Sequence, residues 1–236
     1  MKIKKIILSL LTLFVLFISC KKDKTSDPAY TCTTCKTTPD AKVANDASNK
    51  GVYKGVIIGS TGTIMFDLQN SGTALIAVMV LDGVTVNLTA SVSIVAGQTY
   101  VAPFTGTLNG QPVSITFSVG AIGGTPTVTA SSIPGHPSSS FTIIKETSSS
   151  LVEAFEGTYS TTQPESGTFN MVLSRSLKLF GGNSRKTATT TNNPFNGTIN
   201  ANNELIDGNQ KRIAILNGDV MTSGDPTLTI NAKRTL

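Results

Sequence analysis

The chain has no tryptophan, a single histidine and three cysteines in 236 residues, and only 14% of those residues are charged. Each scarcity removes a class of function. Many sugar-binding surfaces stack their ligand on tryptophan. Here Tyr53, Tyr100, Tyr159 and the phenylalanines could do so, but most phenylalanines are expected in a core. The lone His136 lies between Gly135 and Pro137, a turn context. A general base needs a nucleophile and an orienting carboxylate beside it, and its own segment offers only Ser138 to Ser140. His136 is therefore expected as a solvent-exposed loop residue. The chain has no G-x-S-x-G elbow, no H-E-x-x-H and no P-loop.

Charge is as uneven as it is sparse. The formal net charge is +5, but from Gly51 onward the chain has ten basic and ten acidic residues. Between Lys54 and Lys145 the only charged residues are Asp67 and Asp82. Nucleic-acid binding needs a clustered basic footprint, so a nucleic-acid partner is not expected. Glu153 and Glu156 would share a face on a helix, an ordinary solvated pair rather than a glycosidase couple. Asp207-Gly208-Asn209, Gly218-Asp219 and Gly224-Asp225 miss the spacing of a calcium loop and suit β-turns. No catalytic residue, metal ligand set or cofactor is expected.

The excess basic charge collects at the start. Lys2, Lys4 and Lys5 precede a mostly apolar run, Ile6 to Ile18, and Ser19 stands before Cys20. This is the layout of a secretory signal. Thirteen residues make roughly 20 Å of helix, short of the ~30 Å hydrocarbon core. Phe17-Ile18-Ser19-Cys20 resembles the lipobox of bacterial lipoproteins, with Phe17 where Leu is usual. The resemblance implies cleavage after residue 19 and a lipid-modified Cys20 that tethers the chain to a membrane. Lys21-Lys22-Asp23-Lys24 is similar to the starts of outer-membrane lipoproteins of Bacteroidota-type bacteria, some of them surface-exposed. The expected location is the outer membrane, facing periplasm or cell surface.

Cys32 and Cys35 remain, as Cys-x-x-Cys. Lys36 stands where haem attachment needs His, a structural zinc site needs about four ligands, and a redox pair belongs in a βαβ setting. A local disulfide, natural in an oxidising compartment, is the expectation. Residues 20–39 read as a flexible spacer, and Asp40 to Lys50 as a short helix that Asp40 could cap.

After Gly51 the texture changes to short Val-, Ile-, Thr- and Phe-rich runs punctuated by Gly, Asn, Asp and Ser. This predicts an all-β fold, an antiparallel hairpin meander closing as a β-barrel or β-sandwich. Asp82-Gly83 and Asn109-Gly110 are two-residue hairpin turns. Eight strands are expected before residue 148. In Val113 to Val119 the apolar residues alternate with Ser and Thr, so one face packs and the other meets water.

Three segments recur in order: Gly51-x-Tyr53 as Gly157-x-Tyr159, Gly62-Thr63 through Leu68 as Gly167-Thr168 through Leu173, and Pro103 to Asn109 as Pro194 to Asn200. They suggest two tandem repeats, 51–148 and 149–236. A capping-box pattern at Ser150 to Glu153 predicts one or two helical turns between them. The motifs resemble a group of small, mostly uncharacterised Bacteroidota-type lipoproteins, and the resemblance implies location and β architecture but no chemistry. The leading expectation is a non-enzymatic lipoprotein, structural or binding a partner. A carrier of a small apolar ligand in a lipocalin-like barrel is the alternative, and a cryptic hydrolase the third.

Overall fold

The computed structural model describes residues 30–236; the signal segment and Cys20 lie outside the described residues. The fold is all-β. The first eight strands are β1 (Gly51–Ile58), β2 (Gly62–Leu68), β3 (Leu75–Leu81), β4 (Val84–Thr89), β5 (Tyr100–Leu108), β6 (Gln111–Val119), β7 (Thr127–Ser132) and β8 (Ser140–Glu146). They form one antiparallel sheet in the order β7-β6-β5-β4-β3-β2-β1-β8, which curls until β7 and β8 lie close without a hydrogen-bonded ladder. The remaining eight are β9 (Glu153–Thr161), β10 (Ser166–Ser174), β11 (Leu179–Lys186), β12 (Asn192–Ile199), β13 (Glu204–Asp207), β14 (Arg212–Asn217), β15 (Val220–Ser223) and β16 (Leu228–Arg234). They close into a barrel as β16 pairs with β9.

Local chemistry sets the hairpins. Asp82 and Gly83, like Asn109 and Gly110, all have positive φ, the backbone a type I′ turn needs to match strand twist. Alternation then fills the first barrel. Tyr53, Phe66, Phe104 and Phe117 point inward and are at most 0% exposed, with Phe66 and Phe117 stacked at 4.2 Å and Phe104 edge-on to Phe66 at 5.1 Å.

The barrels stand side by side. On β10 and β11, Asn170 donates to the carbonyl of Ser60 at 3.0 Å and Asn183 to the hydroxyl of Thr142 at 2.8 Å. Val56, Val152, Ala154 and Val172 make a separate apolar cluster in the seam. This is why all eight residues of β1 are buried: one face fills its barrel and the other meets the neighbour. The two barrels are in step, so their loops gather at two common ends.

Three expectations need correction. Where a helix was foreseen from Ser150, an isolated bridge between Thr147 and Ser150 leads into strand β9 at Glu153. The hydroxyl of Ser150 meets that of Ser174 at 2.6 Å instead of capping a helix, and Glu153 pairs with Arg175 and Arg234. Ladders to β10 and β16 outweigh a capping signal that a few hydrogen bonds would support. As a result Glu153 and Glu156, three apart on a strand, face opposite ways.

The stretch 30–39, foreseen as loose spacer, is laid against the barrels as a strap. The Tyr30 hydroxyl donates to the carbonyl of Arg234 at 2.8 Å, and the Cys32 amide to Asp219 at 2.9 Å. Asp40 caps nothing. A single 3₁₀ turn, Val43–Asn45, follows Lys42 with no side-chain cap, and the Asp40 carboxylate pairs with Lys54 at 3.2 Å.

The matched segments fall unevenly on the two meanders. Gly62 and Gly167 both open the second strand, but Gly55, opposite Ile64, is the counterpart of Gly157, opposite Phe169. The Pro-Phe-x-Gly-Thr segments lie on the fifth strand of one barrel and the fourth of the other.

Candidate functional site

The two interiors differ. Four packed aromatic rings fill the interior of the first barrel beside the small Ala77 and Ala102, whereas in the second the inward Ser184 and Ala214 are small. The room they leave is a pit of about 220 Å³, walled chiefly by Phe169, Met171, Phe195, Met221, Leu228 and Ile230. Apolar side chains at inward positions of β9 to β16 form this wall because strand alternation sends every second residue inside. Gly167 lets the ring of Tyr159 lie across it, since a Cβ there would stand 2.7 Å from that ring. Polar groups gather only at the mouth. The Tyr159 hydroxyl donates to Glu165 at 3.3 Å, and Lys186 pairs with Glu165 at 3.4 Å. Burial, and then the neighbouring Glu165 carboxylate, raise the Tyr159 pKa and keep its proton in place.

The mouth lies at one particular end. The turns at 162–165, 187–191, 208–211 and 224–227 surround it. The C-terminus and the strap lie at the opposite end, where Glu153, Arg175, Arg234 and Asp219 form an ion-pair network that holds Tyr30 and Cys32.

A larger cleft, about 750 Å³, runs along the junction of the barrels between Ser60, Thr61, Glu156, Asn170, Arg185 and Lys233. Burial raises the pKa of Glu156, against hydrogen bonds from the Thr235 hydroxyl and the Gly62 amide. The Arg185 guanidinium is held by neutral oxygens, Asn192 Oδ1 and the carbonyl of Ser138. The charges of the cleft are dispersed along it, whereas the pit is lined almost wholly by apolar side chains.

His136, partly buried in the loop after β7, approaches Asp82 at 3.6 Å. The other oxygen of Asp82 accepts from the hydroxyls of Ser60 and Thr61. Hydrogen bonds from Ser60, against some desolvation, hold the Asp82 carboxyl below its usual range. A hydrolytic relay puts histidine between serine and carboxylate; here the carboxylate is in the middle, an order that activates no nucleophile. Cys32 and Cys35 are joined by a disulfide within the strap. Among the described residues no three His, Cys, Asp or Glu side chains converge to hold a metal ion, and no helix is long and apolar enough to cross a membrane.

No protein-family model, curated protein or solved structure matches the chain.

Sequence reasoning assigned the phenylalanines to a core but did not separate a filled barrel from one with room. A signal was present: Ser184 and Ala214 are small residues on strands, and they fall inward only once the register is known.

Proposed function

We propose that the chain is a non-catalytic lipoprotein of the cell envelope, anchored through Cys20, whose second barrel holds a small apolar ligand. The observation that carries this reading is the pit: apolar walls in a closed barrel, with polar groups confined to the mouth. Ligand sites have this make-up, apolar linings with a few polar groups that fix orientation. The volume sets the size of the guest. An apolar cavity of ~150 Å³ takes benzene, and drug-sized ligands need ~300–1,000 Å³. At about 220 Å³ the pit suits one or two fused rings or a short acyl chain. The filled first barrel serves on this reading as a structural partner, consistent with its packed aromatic core.

The test is a titration of the intact protein with 1-aminonaphthalene, a fluorescent apolar probe of two fused rings. Saturable binding is expected, and Ala214→Phe, which adds bulk to the pit wall, should abolish it while the barrel still melts cooperatively. Equal binding by the variant would place the probe elsewhere and overturn the assignment.

A further inference from the structure

The strap end of the molecule carries apolar side chains that nothing in the chain covers. Val43, Val92, Val95, Ile122 and Leu177 are all exposed, Ile122 and Val43 by about three quarters (74% and 76%). Every one of them sits on a loop or turn at this end. The exposed large apolar residues elsewhere, Val80, Val84, Val101 and Leu179, lie within strands, and the loops at the pit end carry none among the described residues. Loop 90–99, Ala-Ser-Val-Ser-Ile-Val-Ala-Gly-Gln-Thr, and loop 120–126 contain no charge at all. They are also held in place. The buried Asn49 amide donates to the carbonyls of Val95 at 3.1 Å and Gln98 at 2.8 Å, and Lys145, against Gly123, donates to the carbonyl of Asn45 at 2.7 Å. Around these tips stand the exposed Lys42 and Lys178, while the exposed Lys36 pairs with Asp40 at 3.4 Å.

What covers this end follows from where the chain comes from. Twenty-nine residues precede Tyr30, and Tyr30 is fastened at the same end by Arg234. From Cys20 to Tyr30 is ten residues, at most ~35 Å of chain. A lipid on Cys20 would therefore hold this end nearer a bilayer than the pit mouth, which lies a further strand length away.

We propose that the strap end is a membrane-resting face: its apolar loop tips enter the interface of the bilayer and its lysines meet anionic headgroups. Side chains of this kind lie at the headgroup boundary, where burial of apolar area adds to attraction for anionic lipid. The pit mouth, at the opposite end, then faces away from the membrane. The proposal rests on the Cys20 reading for how the protein reaches the membrane, though not for which face turns to it.

The experiment uses the lipidated full chain in vesicles of phosphatidylethanolamine and phosphatidylglycerol containing a doxyl-labelled lipid. A fluorophore is placed on one new cysteine at a time: Ile122→Cys, Leu177→Cys, and Asn209→Cys on a pit-end turn. Several-fold stronger quenching at 122 and 177 than at 209 is expected. Equal quenching at all three positions, in protein that floats with the vesicles, overturns the face and leaves the anchor standing. A chain whose mass shows no lipid on Cys20 overturns the anchor alone; if it still binds vesicles with 122 and 177 quenched, the face is upheld. If that chain does not bind, the face falls with the anchor.

Discussion

Charges that the fold buries or strands decide most at the scale of single residues. Glu156 lies in the junction cleft, and burial raises its pKa despite hydrogen bonds from Thr235 and Gly62. A carboxyl with a raised folded pKa contributes stability below its unfolded value near 4.3, and that contribution is lost as pH rises through the folded value. At pH 7 the ionised group is therefore a cost. Glu156→Gln should raise the Tm at pH 7 by roughly 2 °C and bring no gain at pH 3.5, where the wild-type carboxyl is already neutral. Thermal melts at the two pH values check this; a lower Tm at pH 7 contradicts it. Tyr100 shows burial acting on a neutral group. Its buried hydroxyl has no partner among the described residues, and desolvation pushes its pKa up to about 12.

Among the elements, the strap was the least legible from sequence. Residues 30–50 are polar, with Pro39 and few apolar side chains, so composition alone reads as spacer. Their order comes from partners far along the chain. Lys54, 1% exposed, lies 2.7 Å from Glu146 and 3.2 Å from Asp40, and Glu146 also accepts from the amides of Asp40 and Val152. Burial opposes ionisation of Asp40, but the Lys54 charge and hydrogen bonds from Lys54 and Lys36 prevail and hold its pKa down. Lys54→Met would leave the fully buried Glu146 without its cation. Removing one partner of a buried pair costs about 3–5 kcal/mol, so chemical denaturation should show a loss of that order, and protease should cut the strap sooner. A loss below about 1 kcal/mol would mean that Lys54 is not what docks it. The strands were far more legible. Val113 to Val119 alternate in sequence and in burial alike, and the two hairpin dipeptides turn where expected. Strand β1 was half legible, because its second buried face depends on a neighbouring barrel. The segment from Ser150 misled, since a local capping pattern carries no information about the ladders on either side.

For the whole molecule, two barrels of similar plan divide the work between packing and space. Nothing in the composition distinguished them: both halves alternate, and both carry phenylalanine. The difference emerges only when register sets Ser184 and Ala214 into the pit wall of one barrel and packs Tyr53, Phe66, Phe104 and Phe117 against one another in the other. Four of the five methionines make that difference measurable. Met171 and Met221 line the pit, Met79 is buried in the first barrel, and Met65 lies outside both interiors on β2. In a ¹³C-methyl spectrum of methionine-labelled protein, adding naphthalene should shift the Met171 and Met221 signals and leave Met65 and Met79 in place. Unchanged signals from Met171 and Met221 at saturating ligand, or a shift of Met79 as large as theirs, would contradict the claim that the second barrel is the binding site.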